Sequence, residues 1–304
     1  MNDRTATEKK LHGQQEKLRS LHEESKKKSS DEKVVSPFPA DSFIKGDVFM
    51  NIPARELGIS DVEPYFDWNL FYAIWGLKAG KGMLERRKLR ADAARELDLL
   101  KAEGGVKITI VARFDQACSK DDTIVTGSYS LPMMRQKGGR SLCDFVPPGE
   151  YGFTAQMGMF AVSVHQTAAG NGAEGLDPDE MLARSVRLTL AEAASEWLSH
   201  QLESKLPQGC GAKIIKPAAG YSSCPDHTLK RDILSLLPDS SKLGITLLES
   251  GAMIPDASIC GLIFIHPEAS YPEIRRLPDT AIDEYAARRG MSQEEKARFL
   301  GHLL

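Results

Sequence analysis

The stretch VKITIVARF, residues 106–114, alternates apolar and polar side chains as a strand with one face in a core does. Upstream of it, residues 83–103 carry a helical apolar period that stops at Gly104 and Gly105, a pair suited to ending a helix. Earlier still, residues 61–77 gather Tyr65, Phe66, Trp68, Phe71, Tyr72 and Trp75, which predicts a helix packed into the core. Downstream, short apolar runs predict strands over 124–129, 159–164, 245–249 and 259–265. Between them, residues 177–202 place Leu182, Val186, Leu190, Ala193 and Trp197 on one helical face. Helices are expected over 279–289 and 292–303, the second opened by the capping pattern of Ser292 and Glu295. Strands and helices do not alternate regularly, which favours α+β over a doubly wound sheet.

With 304 residues, 41% of them apolar, the chain can bury one sizeable core without staples. We expect a single main domain over 35–304, preceded over 1–34 by a charged tail, flexible or helical, whose apolar side is limited to Leu11, Leu18 and Leu21. The net charge of -3, with cations and acids interleaved, offers no single-signed face to nucleic acid or to an anionic membrane. No apolar run approaches the roughly 20 residues of a membrane helix. The N-terminus is charged where a secretory signal would be apolar, so the expected location is cytoplasmic. The cysteines, Cys118, Cys143, Cys210, Cys224 and Cys260, are odd in number and form no C-x-x-C pair. Free thiols are expected rather than a disulfide framework or a zinc knuckle.

Several chemistries fail on spacing. GLKAGK, residues 76–81, approximates a phosphate loop, but its lysine comes one residue early and no Ser or Thr follows. Neither G-x-S-x-G nor H-E-x-x-H occurs. CPDH, residues 224–227, brings three metal-ligand types together, yet no second pair of ligands accompanies it as a zinc site requires. The D-x-H-x-x-G loop that ligates cobalamin in one large class of proteins is also missing.

The segment KPAAGYSSCPDHT, residues 216–228, resembles the signature of the activation domain of cobalamin-dependent methionine synthase, R-P-x-x-G-Y-x-x-C-P-[DE]-H-[TS]. Lys216 stands where that pattern has arginine. Downstream, LLES at 247–250, Ala252, Met253, Pro255, Ala257, Ser258, Gly261, Phe264, His266, Pro267 and Tyr271 follow the family in order and spacing, as does DEYAARRG at 283–290. Upstream, Phe66, Asp67, Trp68 and Trp75, then LCDFVP at 142–147 and FAV at 160–162, resemble further family segments. The likeness runs from about residue 40 to the end and implies a bent, mainly antiparallel sheet with flanking helices. Between the long helix and Lys216 the chain is shorter than the family pattern and lacks its W-G-Y element.

The resemblance implies binding of S-adenosylmethionine, whose carboxylate, ammonium, sulfonium and adenosine call for a cation, carboxylates and close backbone approach. Lys216 would meet the ligand carboxylate, without the planar fork of an arginine. Gly220 would let the backbone approach, or serve only as a turn glycine. Tyr221 would face the ligand and the corrin ring, the alternative being a packed aromatic. Asp67 and Glu192 match acids that bind the ammonium. Asp67 also reads as a helix cap, and Glu192 lies off the apolar stripe of its helix, as a solvated residue would. Tyr271 and Pro272 match positions near the ligand. Cys224 to His227 read as structural, with Asp226 capping a following helix.

By the same resemblance, cobalamin presented by a partner protein would take one electron from a flavodoxin-like donor and a methyl group from S-adenosylmethionine. No general acid or base is needed, and no catalytic residue is expected. The expected partner is a cobalamin-binding methionine synthase chain, on which this chain would act in trans. A second reading is a non-catalytic S-adenosylmethionine sensor, or a scaffold for another corrinoid methyltransferase. A third is a thiol- or metal-dependent enzyme centred on Cys224 and His227.

Overall fold

The computed structural model describes residues 37–77, 82–167 and 178–304. The charged N-terminal segment with Leu11, Leu18 and Leu21 lies outside these residues, as does most of the GLKAGK stretch. In chain order the elements are β1 (Ile52–Leu57), α1 (Ile59–Val62), α2 (Trp68–Ile74), α3 (Met83–Glu103), β2 (Val106–Lys120), β3 (Thr123–Thr126), β4 (Ser130–Pro132), β5 (Ala155–Gln166), α4 (Pro178–Glu203), β6 (Lys213–Ile215), α5 (Leu229–Leu236), β7 (Thr246–Leu247), β8 (Met253–Ile254), β9 (Ser258–His266), α6 (Asp279–Arg289) and α7 (Gln293–Leu300). The fold is α+β. Every pairing of the main sheet is antiparallel, in the order β4-β3-β2-β5-β9-β6, with β1 also on β2.

Both faces of this sheet are covered, which separates it from the one-sided strand read at residues 106–114. On one face Ile108, Ile110, Phe160, Val162 and Ile263 pack against Val186, Leu190 and Trp197 of α4, with α1 to α3 around them. On the other, Val111, Met157, Met159, Leu262 and Phe264 meet Leu142, Phe145 and Ile233. The parity of each strand decides which layer a side chain enters, and alternating sets are both apolar because both layers are dry. The C-terminal helices add a third cluster around Tyr285 and Phe299.

Three expected elements are broken or shortened, while the strands expected over 106–114 and 159–164 are longer than read, Val106–Lys120 and Ala155–Gln166. The aromatic helix expected over 61–77 is broken into α1, a 3-10 turn at Glu63–Tyr65 and α2. Pro64 has no N–H to continue the first, and Asp67 starts the next by accepting the N–H groups of Asn69 and Leu70. The strand expected over 245–249 shrinks to β7, paired only with β8, and that over 124–129 ends at Thr126. By contrast α3 stops at Gly104 in the left-handed conformation, and Ser292 and Glu295 form the anticipated capping box.

The segment before β1 is fastened by a buried histidine. His266, at the end of β9, is fully buried, with the rings of Phe38 and Phe43 at 4.2 and 4.9 Å. Its Nδ1 accepts the Glu268 N–H at 3.0 Å, so the proton of the neutral ring is on Nε2, 2.9 Å from Ser42 Oγ. Burial, with the Arg140 charge adding to it, pulls its pKa down to about 4. In the unfolded chain an ordinary histidine titrates near 6.5, so on acidification the unfolded state takes the proton first. The stabilisation is complete above about pH 6.5 and is lost as pH falls toward 4, amounting to about 3 kcal/mol. Urea titrations between pH 7.5 and 4.5 should show this slope, and His266→Gln should flatten it. An unchanged slope in the variant would refute the assignment.

Candidate functional site

β9 is the floor on which the motif 216–228 is laid. β6 pairs with its end, Ile215 opposite Phe264, and the chain then continues along β9 through two further bonds. Leu262 N–H donates to Pro217 O at 3.0 Å and Ala219 N–H to Cys260 O at 3.2 Å. Gly261 permits this, because a Cβ there would lie 2.5 Å from Pro217 O and 2.8 Å from Ala218 Cα.

The chain then turns at Gly220, which has φ +94°. Gly220 N–H donates to Cys224 O at 2.7 Å and Cys224 N–H to Tyr221 O at 2.8 Å. What fills the place of a Cβ on Gly220 is the His227 ring, whose Cε1 would be 2.5 Å away. The glycine is thus required by the turn and by its own motif histidine, whatever else approaches from outside. Tyr221 is half-buried, its ring packed on the edge of the α4 layer.

Below the turn the motif is a buried polar cluster. Asp226 accepts from Thr228 N–H and Oγ1–H at 2.8 and 2.7 Å, so it braces the residue before α5 instead of capping the helix as expected, and Thr228, at the cap position, makes no side-chain capping bond. Its other oxygen accepts from Tyr285 Oη at 2.9 Å and Arg289 Nε at 3.1 Å. Burial, reinforced by the Asp226 charge, raises the Tyr285 phenol well above its usual range and keeps it a donor. Lys230, also buried, places Nζ 3.0 Å from His227 Nδ1 and donates to Gly251 O at 2.7 Å. The Nδ1 of His227 is thus engaged by Lys230, and Cys224 is packed in the core below the sheet. Among the described residues no group of three or more His, Cys, Asp and Glu is arranged to hold a metal ion.

Lys216, Tyr271, Pro272 and the turn meet along one rim. The Lys216 N–H donates to Tyr271 Oη at 3.0 Å, and the Ile274 N–H donates to Ser222 O at 2.8 Å, which holds segment 271–274 beside the turn. Pro272 is buried and Tyr271 half-buried. The Lys216 ammonium reaches α4, donating to the Ser195 carbonyl and to Ser195 Oγ at 2.9 Å, with Glu196 Oε2 at 3.7 Å.

Glu192 lies one turn before Ser195 and Glu196, on the same side of α4. The sequence period made it a solvated residue, whereas it is half-buried. α4 is covered by the sheet and by the α1 to α3 layer, so Ala191, Ala193, Ala194, Ser195, Trp197 and Leu198 are all buried and no single stripe exists. Asp67 caps α2, which packs on α4, and two residues earlier the Tyr65 ring rests on His200 at 4.7 Å, one turn beyond Glu196. Lys216, Tyr271, Pro272, Gly220 and Tyr221 are thus joined directly, and Glu192 and Asp67 through α4. Ser195 and Glu196 were missed by sequence reasoning. Their only signal was the helical spacing from Glu192.

Two comparisons bear on this site. The sequence model of the vitamin B12 dependent methionine synthase activation domain matches residues 58–290. Among solved structures, the crystal structure of the MetH reactivation domain bound to AdoHcy is similar at a TM-score of 0.71 and 27% identity, over 83% of this chain and 89% of that one. The profile match takes in the aromatic segment, the α4 face, the motif 216–228 and the helix carrying Tyr285 and Arg289, and the chain belongs to the family of vitamin B12 dependent methionine synthase activation domains.

Proposed function

We propose that the chain binds S-adenosylmethionine along the rim formed by the motif turn, segment 271–274 and α4, and supports remethylation of a cobalamin held by a methionine synthase partner. The observation that carries this is the convergence of Lys216, Tyr271 and the Gly220–Tyr221 turn on the Glu192 to Glu196 face of α4, in a family member whose solved relative is an AdoHcy complex. The bound groups supply the chemistry, transfer of a sulfonium methyl with one electron to an oxidised cobalamin. The chain's own contribution is to bind and orient. Glu192 and Asp67 would hold the ligand ammonium, Lys216 would face its amino-acid end, and Gly220, Tyr221, Tyr271 and Pro272 would line the path of the remainder. A flavodoxin-like protein is the proposed electron donor.

Asp67 allows charge to be separated from folding. Asparagine caps a helix about as well as aspartate, so Asp67→Asn should keep the urea midpoint and weaken S-adenosylmethionine binding roughly tenfold, as expected for one charge-assisted hydrogen bond. Calorimetric titration of both proteins measures it, and equal affinities would remove Asp67 from the site. The larger claim is tested by adding the chain, ligand and reductant to a cobalamin-bearing methionine synthase chain that lacks an activation domain. Failure to restore turnover there would refute the assigned role.

A further inference from the structure

The Lys216 ammonium is turned inward. It has three N–H donors. Two acceptors of Ser195 lie within bonding reach, and Glu196 Oε2 stands 3.7 Å away. The Lys216 side chain is 6% exposed and that of Glu196 35%, so the outward member of the pair is the carboxylate. The Phe160 ring, 5.8 Å from Nζ, flanks the ammonium as well. Glu192 lies on the same side of the helix one turn away. Of this pair, the more exposed Glu196 carboxylate is the one an approaching anion meets first.

We propose that Ser195 and Glu196 are specificity-determining residues: by holding the Lys216 ammonium against α4 they make the site select its S-adenosyl amino-acid ligand by its ammonium and adenosine ends, with little contribution from its carboxylate. The inference rests on the ligand reading above and deepens it. A lysine presents a single point charge, and one carboxylate neighbour already offsets it. The subsite therefore recognises the ammonium and gains little from the carboxylate.

The test is calorimetric titration of the full chain with S-adenosylhomocysteine and with its decarboxylated form, the same molecule without the carboxylate. The native chain should bind the two within about fivefold of each other. Glu196→Gln should shift the ratio of affinities toward the intact ligand by about three- to fivefold, since the charge facing the ligand carboxylate is removed. If that variant does not fold, Glu196→Asp, which withdraws the carboxylate by one methylene, should shift the ratio in the same direction. A native preference for the intact ligand above about fivefold, or a ratio unmoved or reversed in the variant, overturns the inference while leaving the ligand reading in place. Failure of both compounds to bind the native chain overturns the two together.

Discussion

Gly261→Ala is expected to lower the unfolding free energy by about 3–5 kcal/mol, the sum of an overpacked contact and of weakened buried hydrogen bonds. The same substitution should remove measurable binding of S-adenosylhomocysteine. The reason lies in what surrounds the missing side chain. The atoms a Cβ would meet, Pro217 O at 2.5 Å, Ala218 Cα at 2.8 Å and Pro217 C at 3.1 Å, are all backbone, so no side chain can rotate away. The added methyl must lift segment 217–218 off β9. Doing so strains the bonds from Leu262 N–H to Pro217 O and from Ala219 N–H to Cys260 O, and it shifts Lys216 from Ser195 at the same time. Urea denaturation and ligand titration on one preparation would check both parts. A variant with the native midpoint would mean that the motif is not fixed to β9 in the way described.

How much of this could be read from the chain itself depended on where each partner was. β5 and β9 showed as apolar runs because a strand buried on both faces needs no alternation. The ends of α3 and α7 were written in Gly104 and Ser292, since caps are local chemistry. β1 was missed because Pro53 interrupts it and half of it is exposed, as an edge strand tolerates. β6 and β8 were missed because two or three residues carry no period. α4 was found, but its period gave the wrong environment for Glu192, for a helix covered on several sides loses its stripe. The motif 216–228 could be located by its unusual string, whereas the partners that define its state, Ser195 and Glu196 for Lys216 and Tyr285 and Arg289 for Asp226, come from helices remote in sequence. Only the fold brings them to it.

Asp226→Ala should destabilise the chain by about 3–5 kcal/mol, the range for removing one partner of a buried ion pair. Asp226 is 1% exposed and receives four hydrogen bonds, two from Thr228 and one each from Tyr285 and Arg289. Without it the Tyr285 hydroxyl has lost its acceptor inside the C-terminal cluster, and the Arg289 guanidinium, its side chain 10% exposed, keeps Asp232 at 2.6 Å and Thr228 Oγ1 at 2.9 Å. The loss comes from those stranded groups more than from the attraction removed, and this has a measurable consequence. Arg289→Met alone should also be costly, because a buried carboxylate then faces only neutral donors. In the double variant Asp226→Leu, Arg289→Met both charges are gone, and its destabilisation should fall short of the sum of the Asp226→Leu and Arg289→Met values by at least about 2 kcal/mol. Urea unfolding of the native chain and these three proteins closes the cycle. Additive values would show that the two charges do not depend on one another.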